Sequence, residues 1–143
     1  MKALLATSLA LALVACASTA MTIPEGVPVD TRETSLGTVL TDTEGMTLYL
    51  FTRDESGKSN CYDGCAQNWP PLDASANAQD AGKFSVIERQ DGTHQWAYDG
   101  DPLYLWVNDQ QPGDVTGQGV GDVWFVIEVG DTGSGSDSGS MTY

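Results

Sequence analysis

The sequence predicts an all-β domain of two similar β-hairpin units related by a pseudo-twofold axis, with long glycine-rich loops. The main observation is an internal repeat, because residues 37–69 align with residues 92–124 without a gap. Each copy contains two short β-prone runs around a turn, which is the pattern of a hairpin. The central runs, "LYLF" and "LYLW", are apolar on both alternating faces and therefore predict strands covered on both sides.

The repeat is defined by residues of several chemical types at one constant offset. Leu48–Leu50 matches Leu103–Leu105, including the central tyrosine, and Phe51 matches Trp106. The other matches are glycines, an acid and a tryptophan, namely Gly37 with Gly92, Gly45 with Gly100, Asp54 with Asp109, Gly64 with Gly119 and Trp69 with Trp124. Such agreement indicates an internal duplication.

The elements of each copy follow the same order. "TVLTDTEGMTLYLF" predicts two strands around an Asp-Glu-Gly turn, and "THQWAYDGDPLYLW" predicts the same with Asp99-Gly100 at the tip. A glycine-rich loop then leads to a tryptophan, which opens the predicted strand "VWFVIEV" in the second copy. In the first copy the prolines of "WPPL" end the run. Between the copies, "KFSVIERQ" alternates and predicts one more strand.

The amino terminus predicts export. One lysine and an apolar run precede Cys16 in "MKALLATSLALALVAC", which predicts a signal peptide over residues 1–15 that is too short for a mature membrane span. "LVAC" resembles the lipobox of bacterial lipoproteins, which implies that Cys16 becomes the lipidated first residue and anchors the protein to a membrane. The alternative is cleavage near "ASTA" at 17–20, which leaves a free secreted protein.

The predicted localisation is the cell envelope, with the protein facing the periplasm or the exterior. Neither Ala17 nor Ser18 is the aspartate that resembles an inner-membrane retention signal, so we expect the outer membrane in a Gram-negative host. The predicted organisation is a flexible lipidated tether over 16–32, the duplicated domain over 33–130 and a disordered Gly/Ser tail over 131–143.

The composition is strongly acidic. The chain has 20 Asp and Glu residues against 6 Lys and Arg residues, a net charge of −14. Such a surface repels phosphate backbones, which excludes nucleic acid as a partner. It suits a cationic ligand or a divalent metal, and it equally suits solubility alone.

Two cysteines remain after Cys16, in "NCYDGCAQNW". Exported proteins fold in an oxidising compartment, and Cys61 and Cys65 are spaced so that a helical turn or tight loop can bridge them. The pair therefore predicts a disulfide. A loop of this length gains only about 2 kcal/mol from restricting the unfolded chain, so a structural bridge and a redox-active bridge both remain open.

The repeated Tyr49-x-Phe51-x-x-Asp54 and Tyr104-x-Trp106-x-x-Asp109 resemble the bacterial lipoproteins known for a Yx(FWY)xxD motif, also called the secreted repeat of unknown function. "GKSNCYDGCAQNWPPL" is similar to the family's signature between the motifs, and the resemblance covers about 37–127. It implies a secreted or lipid-anchored tandem-repeat domain without an established activity. Some relatives are associated with membrane electron transport, which implies that a redox role should be weighed.

The motif residues allow a structural and a binding interpretation. Asp54 and Asp109 can fix their loops by accepting backbone N–H bonds, or they can share a calcium site, although neither loop has EF-hand spacing. The aromatic residues form either a packed core or a cleft for a flat ligand such as a quinone or a sugar. These residues are Tyr49, Tyr104, Trp69, Trp124, Trp96, Phe51 and Trp106.

His94 is the only histidine. It is interpreted as an ordinary strand or surface residue, with haem ligation opposite Met46 as the alternative. The sequence has no Ser/His/Asp order, no nucleophile elbow and no phosphate loop before a helix, so we expect neither a catalytic residue nor a cofactor.

The first functional hypothesis is a lipid-anchored accessory or binding domain without catalytic activity. Its partner is an envelope protein or a small aromatic or cationic ligand. The alternative is an envelope redox component that uses Cys61 and Cys65 or a bound cofactor.

Overall fold

The computed structural model describes residues 21–129, which contain eight short strands, one five-residue helix and one 3-10 turn. The signal peptide, Cys16 and the Gly/Ser tail lie outside the described residues. The strands are β1 (Val29–Thr34), β2 (Gly37–Asp42), β3 (Tyr49–Phe51), β4 (Asp73–Ala74), β5 (Phe84–Glu88), β6 (His94–Tyr98), β7 (Asp101–Pro102) and β8 (Trp124–Val126). Helix α1 spans Gly64–Asn68, and the 3-10 turn spans Val120–Asp122.

The strands form three small antiparallel sheets. β1 pairs with β2, β3 pairs with β8, and β6 lies between β4 and β5 with β7 also paired to it. β1 and β5 occupy equivalent positions in the two repeats, and so do β2 and β6. The all-β tandem-repeat fold predicted from the sequence is therefore confirmed.

The second predicted hairpin is present as β6 and β7. Asp99 and Gly100 form its tip with φ values of 51° and 92°, and such positive values suit a tight hairpin turn with glycine at the second position. In the first repeat, Leu48 N–H donates to Leu40 C=O at 2.9 Å, so the hairpin begins as predicted. β3 then leaves that pairing and continues against β8 instead.

The "LYLF" and "LYLW" segments separate two hydrophobic clusters. Leu48 and Leu103 are buried in the first core, whereas Tyr49 and Tyr104 are buried in a second one, the aromatic core. The first core contains Val27, Val29, Leu40, Leu48, Leu72, Phe84, Trp96, Leu103 and Ile127. The aromatic core contains Val39, Tyr49, Cys61, Trp69, Tyr104, Trp124 and Val126. Both segments are thus covered on both faces, as the double apolar alternation predicted. The predicted second strand is wrong, however, because within residues 103–106 only Tyr104 pairs, through isolated bridges to Tyr49 and Pro71.

The predicted tether over 16–32 extends too far into the domain. Val27 and Val29 are buried in the first core, and β1 begins at Val29. Strand β1 is the counterpart of β5, so each repeat begins with its own strand. The sequence signal of β1 is weak because "VDTRET" buries only its first residue, whereas β5 buries both Phe84 and Ile87.

Within residues 21–129, no helix is long and apolar enough to cross a membrane.

Candidate functional site

The two motif tyrosines lie on either side of the pseudo-twofold axis and pair with each other through their backbones. Tyr49 N–H donates to Tyr104 C=O at 2.8 Å, and Tyr104 N–H donates to Tyr49 C=O at 2.9 Å. Equivalent residues that exchange both backbone bonds require the axis to pass between them. The same symmetry relates the contact of Tyr49 with Val126 to that of Tyr104 with Pro71.

The tyrosine side chains cross to the aspartates of the opposite repeat. Tyr49 Oη donates to Asp109 Oδ2 at 2.6 Å, and Tyr104 Oη donates to Asp54 Oδ2 at 2.6 Å. The tyrosine–aspartate hydrogen bonds of the motifs therefore form only when both repeats are folded together. Bonds from a hydroxyl to a carboxylate are among the stronger hydrogen bonds in proteins.

Each aspartate also holds its own loop. Asp54 Oδ1 accepts Asn60 N–H at 2.7 Å, and Asp109 Oδ1 accepts both the backbone N–H and the hydroxyl of Thr116, at 3.0 and 2.6 Å. These are the backbone bonds expected of loop-fixing carboxylates. One oxygen of each carboxylate thus orders a loop while the other joins the two repeats.

Burial raises the pKa values of three motif side chains, Tyr49, Tyr104 and Asp54. Desolvation, followed by the bond to an aspartate, raises the pKa of Tyr49 and of Tyr104 above its ordinary value of 10.0. Desolvation also raises the pKa of Asp54, although the bond from Tyr104 partly opposes it. Both hydroxyls therefore keep their protons at neutral pH and act as donors to the carboxylates.

The four other aromatic residues of the motifs and loops form one continuous stack. Trp69 and Trp124 lie parallel at its centre, with ring centroids 3.9 Å apart and planes inclined by 3°. Phe51 stacks on Trp124 at 4.2 Å, and Trp106 stacks on Trp69 at 3.9 Å. The two central rings are buried, whereas the two end rings are half-buried.

The motif tyrosines brace this stack edge-on. Tyr49 meets Trp69 at 5.3 Å and Tyr104 meets Trp124 at 5.1 Å, both in a T-shaped arrangement. Gly117 packs against one of these corners, since a Cβ there would lie 2.8 Å from atoms of both Trp69 and Tyr49. The aromatic residues are thus brought together as a packed core, and Trp96 lies apart from them in the first core.

The predicted disulfide joins Cys61, in the loop before α1, to Cys65, the second residue of α1, and their Cα atoms are 5.3 Å apart. Cys61 is completely buried in the aromatic core, and Cys65 is half-buried. Lys58 binds Glu55 at 2.8 Å on the surface of the same loop. The aligned position in the second repeat is Thr116, whose hydroxyl binds Asp109. The first loop is therefore closed by a disulfide, and the second by hydrogen bonds between Thr116 and Asp109.

Arg89 is a site residue that sequence reasoning missed. Its guanidinium is buried and donates to Ser59 Oγ at 2.9 Å, to Gln95 Oε1 at 2.7 Å and to Cys61 C=O at 2.6 Å. It also lies 4.4 Å from the Tyr62 ring centroid, a cation–π distance. An arginine that follows a strand carries no sequence signal of burial, because its partners come from distant parts of the chain.

The residues considered for metal or haem binding lie on different elements, and the carboxylates of Asp54 and Asp109 each accept a bond from the tyrosine of the other repeat. His94 lies on β6 opposite Glu88 and Ala74, whereas Met46 lies in the turn that follows β2. Across residues 21–129, no group of three or more His, Cys, Asp or Glu side chains is arranged to hold a metal ion.

Comparison with known proteins gives one family. The model of the secreted repeat of unknown function matches residues 30–73 and 85–128, so both matches include one copy of the motif and begin within the equivalent strands β1 and β5. No curated protein and no solved structure matches the chain. The two family matches cover more than half of the chain, and the chain therefore belongs to the family of the secreted repeat of unknown function.

Proposed function

We propose that this protein is a lipid-anchored accessory or binding domain of the cell envelope, without catalytic activity. Membership of a secreted family supports an extracellular or envelope location. The observation that carries the proposal is the crossed bonding of the motif, in which each tyrosine binds the aspartate of the other repeat. Residues engaged in this way build a rigid scaffold, so contacts with other molecules are left to its surface.

The ends of the aromatic stack support a binding role. Phe51 and Trp106 each have one ring face that is not stacked on another motif ring, and both side chains are half-buried. Val107, next to Trp106, is 50% exposed and adds an apolar side chain to the surface at this end. The chain as a whole has a net charge of −14, so this end suits an envelope protein or a small aromatic or cationic ligand.

Lipid anchoring is tested with a Cys16→Ser variant. Cells are labelled with an alkyne analogue of palmitate, and the protein is followed in membrane and soluble fractions. We expect label and membrane attachment in the native protein and loss of both in Cys16→Ser. A Cys61→Ala/Cys65→Ala variant is the matched control, since it removes two cysteines and should keep the label. Unlabelled, soluble native protein would instead indicate cleavage near "ASTA".

Partner binding is tested by placing a photo-cross-linking amino acid at Val107 in living cells. We expect a discrete adduct in the envelope fraction. The same residue at Lys58, whose side chain is 56% exposed and paired with Glu55, is the control and should give little adduct. Equal adducts from both positions, or none from either, would contradict binding at the Trp106 end of the stack.

The redox alternative depends on access to the disulfide. Cys61 is completely buried, so an external thiolate can approach the bridge only through Cys65. We therefore expect a structural bridge with a reduction potential below about −300 mV. Thiol labelling across redox buffers measures it. A potential of about −120 to −200 mV, the range of thiol–disulfide catalysts, would favour the redox component over the binding domain.

A further inference from the structure

A shallow groove of about 330 Å³ lies where the described chain begins. Met21 and Thr22 form one side, and Lys83, Phe84 and Tyr98 form the other. The groove therefore lies between the amino-terminal segment and the sheet, at the beginning of β5 and the end of β6.

The groove has an apolar floor and a cation at its rim. Phe84 is buried, with 1% of its surface exposed, and its ring lies 5.0 Å from that of Tyr98. Lys83 is exposed, and its ammonium group lies 5.9 Å from the Tyr98 ring centroid. Tyrosine is enriched at membrane–water interfaces, and a lysine close to an anionic leaflet gains about 1 kcal/mol.

The distance to the lipidation site limits which face can meet the bilayer. Met21 is five residues from Cys16, and a fully extended chain of that length reaches at most about 18 Å. A domain of roughly 100 residues has a radius of gyration of about 13 Å, so its far side lies beyond this reach. The predicted 17-residue tether would have allowed any orientation, whereas packing of Met21 and Ile23 against the first core leaves a link of only five residues.

We propose that the groove face is the membrane-facing surface of the domain and rests on the phospholipid headgroup layer of the leaflet that holds the Cys16 acyl chains. Lys83 binds lipid phosphate, while Tyr98 and Met21 lie at the interface. Lys83 suits this role because no aspartate or glutamate is among the residues that line the groove, although the chain as a whole is acidic. The inference rests on the lipidation proposed above.

The test uses the full lipidated protein in vesicles of phosphatidylethanolamine and phosphatidylglycerol that contain a headgroup-nitroxide lipid. A single cysteine carrying an NBD fluorophore is introduced at Thr22, in the groove, or at Val107, beside the aromatic core. We expect strong nitroxide quenching at Thr22→Cys and weak quenching at Val107→Cys. Lys83→Gln should lower the ratio of docked to undocked domains about fivefold, the effect of one lysine at an anionic surface.

Lys58→Gln is the matched control, because it removes the same charge from an exposed lysine elsewhere and should leave the ratio unchanged. Equal quenching at Thr22→Cys and Val107→Cys would overturn the inference. So would a Thr22 label that is shielded from water yet unquenched, because the groove would then hold another part of this chain or a second copy. Mass spectrometry of the amino-terminal peptide separates the two proposals. Acylated Cys16 with equal quenching refutes only the orientation, whereas unacylated Cys16 refutes both.

Discussion

Replacing Tyr104 with phenylalanine removes one hydroxyl and keeps the ring against Trp124. In the native protein that hydroxyl donates to Asp54 Oδ2 at 2.6 Å and lies 2.7 Å from Ser59 Oγ. The variant leaves Asp54 Oδ2 without this donor, whereas Oδ1 keeps its bond from Asn60 N–H. The perturbation therefore breaks one contact between the repeats without changing the loop contact on the same carboxylate.

The expected loss of stability follows from the charge of the acceptor. A hydrogen bond to a charged group contributes about 1.5–3 kcal/mol, so Tyr104→Phe should lower the free energy of unfolding by about 2–3 kcal/mol. Tyr49→Phe should cost a similar amount, because Asp109 loses a donor and Gly117 N–H loses its acceptor at 3.1 Å. The two tyrosines pair directly through their backbones, so the loss in the double variant should differ from the sum of the two single losses by about 0.5–3 kcal/mol.

The assay is equilibrium unfolding in urea, followed by tryptophan fluorescence, with Cys16→Ala as the common soluble background. Tyr98→Phe is the matched control, since Tyr98 is half-buried and packs on Phe84 outside both networks. Its free energy of unfolding should change by no more than about 0.5 kcal/mol. If both motif variants were as stable as this control, the crossed hydroxyl bonds would not hold the repeats together and the reasoning would be refuted.

Stability should also fall steeply above pH 10, because the pKa of both motif tyrosines is raised above the ordinary value of 10.0. The folded protein keeps protons that the unfolded chain releases there, so each tyrosine adds a slope of about −1.4 kcal/mol per pH unit, which is absent below pH 10. Urea unfolding at several alkaline pH values should show a shallower slope in each Tyr→Phe variant, and an unchanged slope would contradict the coupling. Gly117→Ala should cost about 1–3 kcal/mol through overpacking, because its Cβ would lie 2.8 Å from Trp69 and Tyr49 atoms. Gly64→Ala is the control, since a Cβ there meets nothing within 4 Å, and equal melting temperatures for the two variants would argue against a tight stack.

Local features of the fold could be predicted from the sequence. The alternation of "LYLF" and "LYLW" assigned Leu48 and Leu103 to one core and Tyr49 and Tyr104 to the other, because strand geometry sends successive side chains to opposite faces. The disulfide was predictable for a different local reason, because a separation of four residues already holds the two cysteines within reach.

Strand β1 could not be predicted from its own residues, because it is held in place by hydrogen bonds to β2 and not by an apolar pattern. Its sequence "VDTRET" buries little apolar surface, and it is ordered by a ladder of six residue pairs with β2. Only the equivalent strand β5, which carries Phe84 and Ile87, has enough apolar residues to be found by alternation.

The sequence by itself therefore determined the duplication, the two buried faces of "LYLF" and "LYLW" and the bridged loop, because these can be read from the order and spacing of residues along the chain. Only the tertiary structure decided which carboxylate each tyrosine binds. Tyr49 and Asp109 are 60 residues apart, and Tyr104 and Asp54 are 50 apart. Their crossed pairing arises because the backbones of the two tyrosines pair on the axis, which turns each side chain toward the loop of the other repeat.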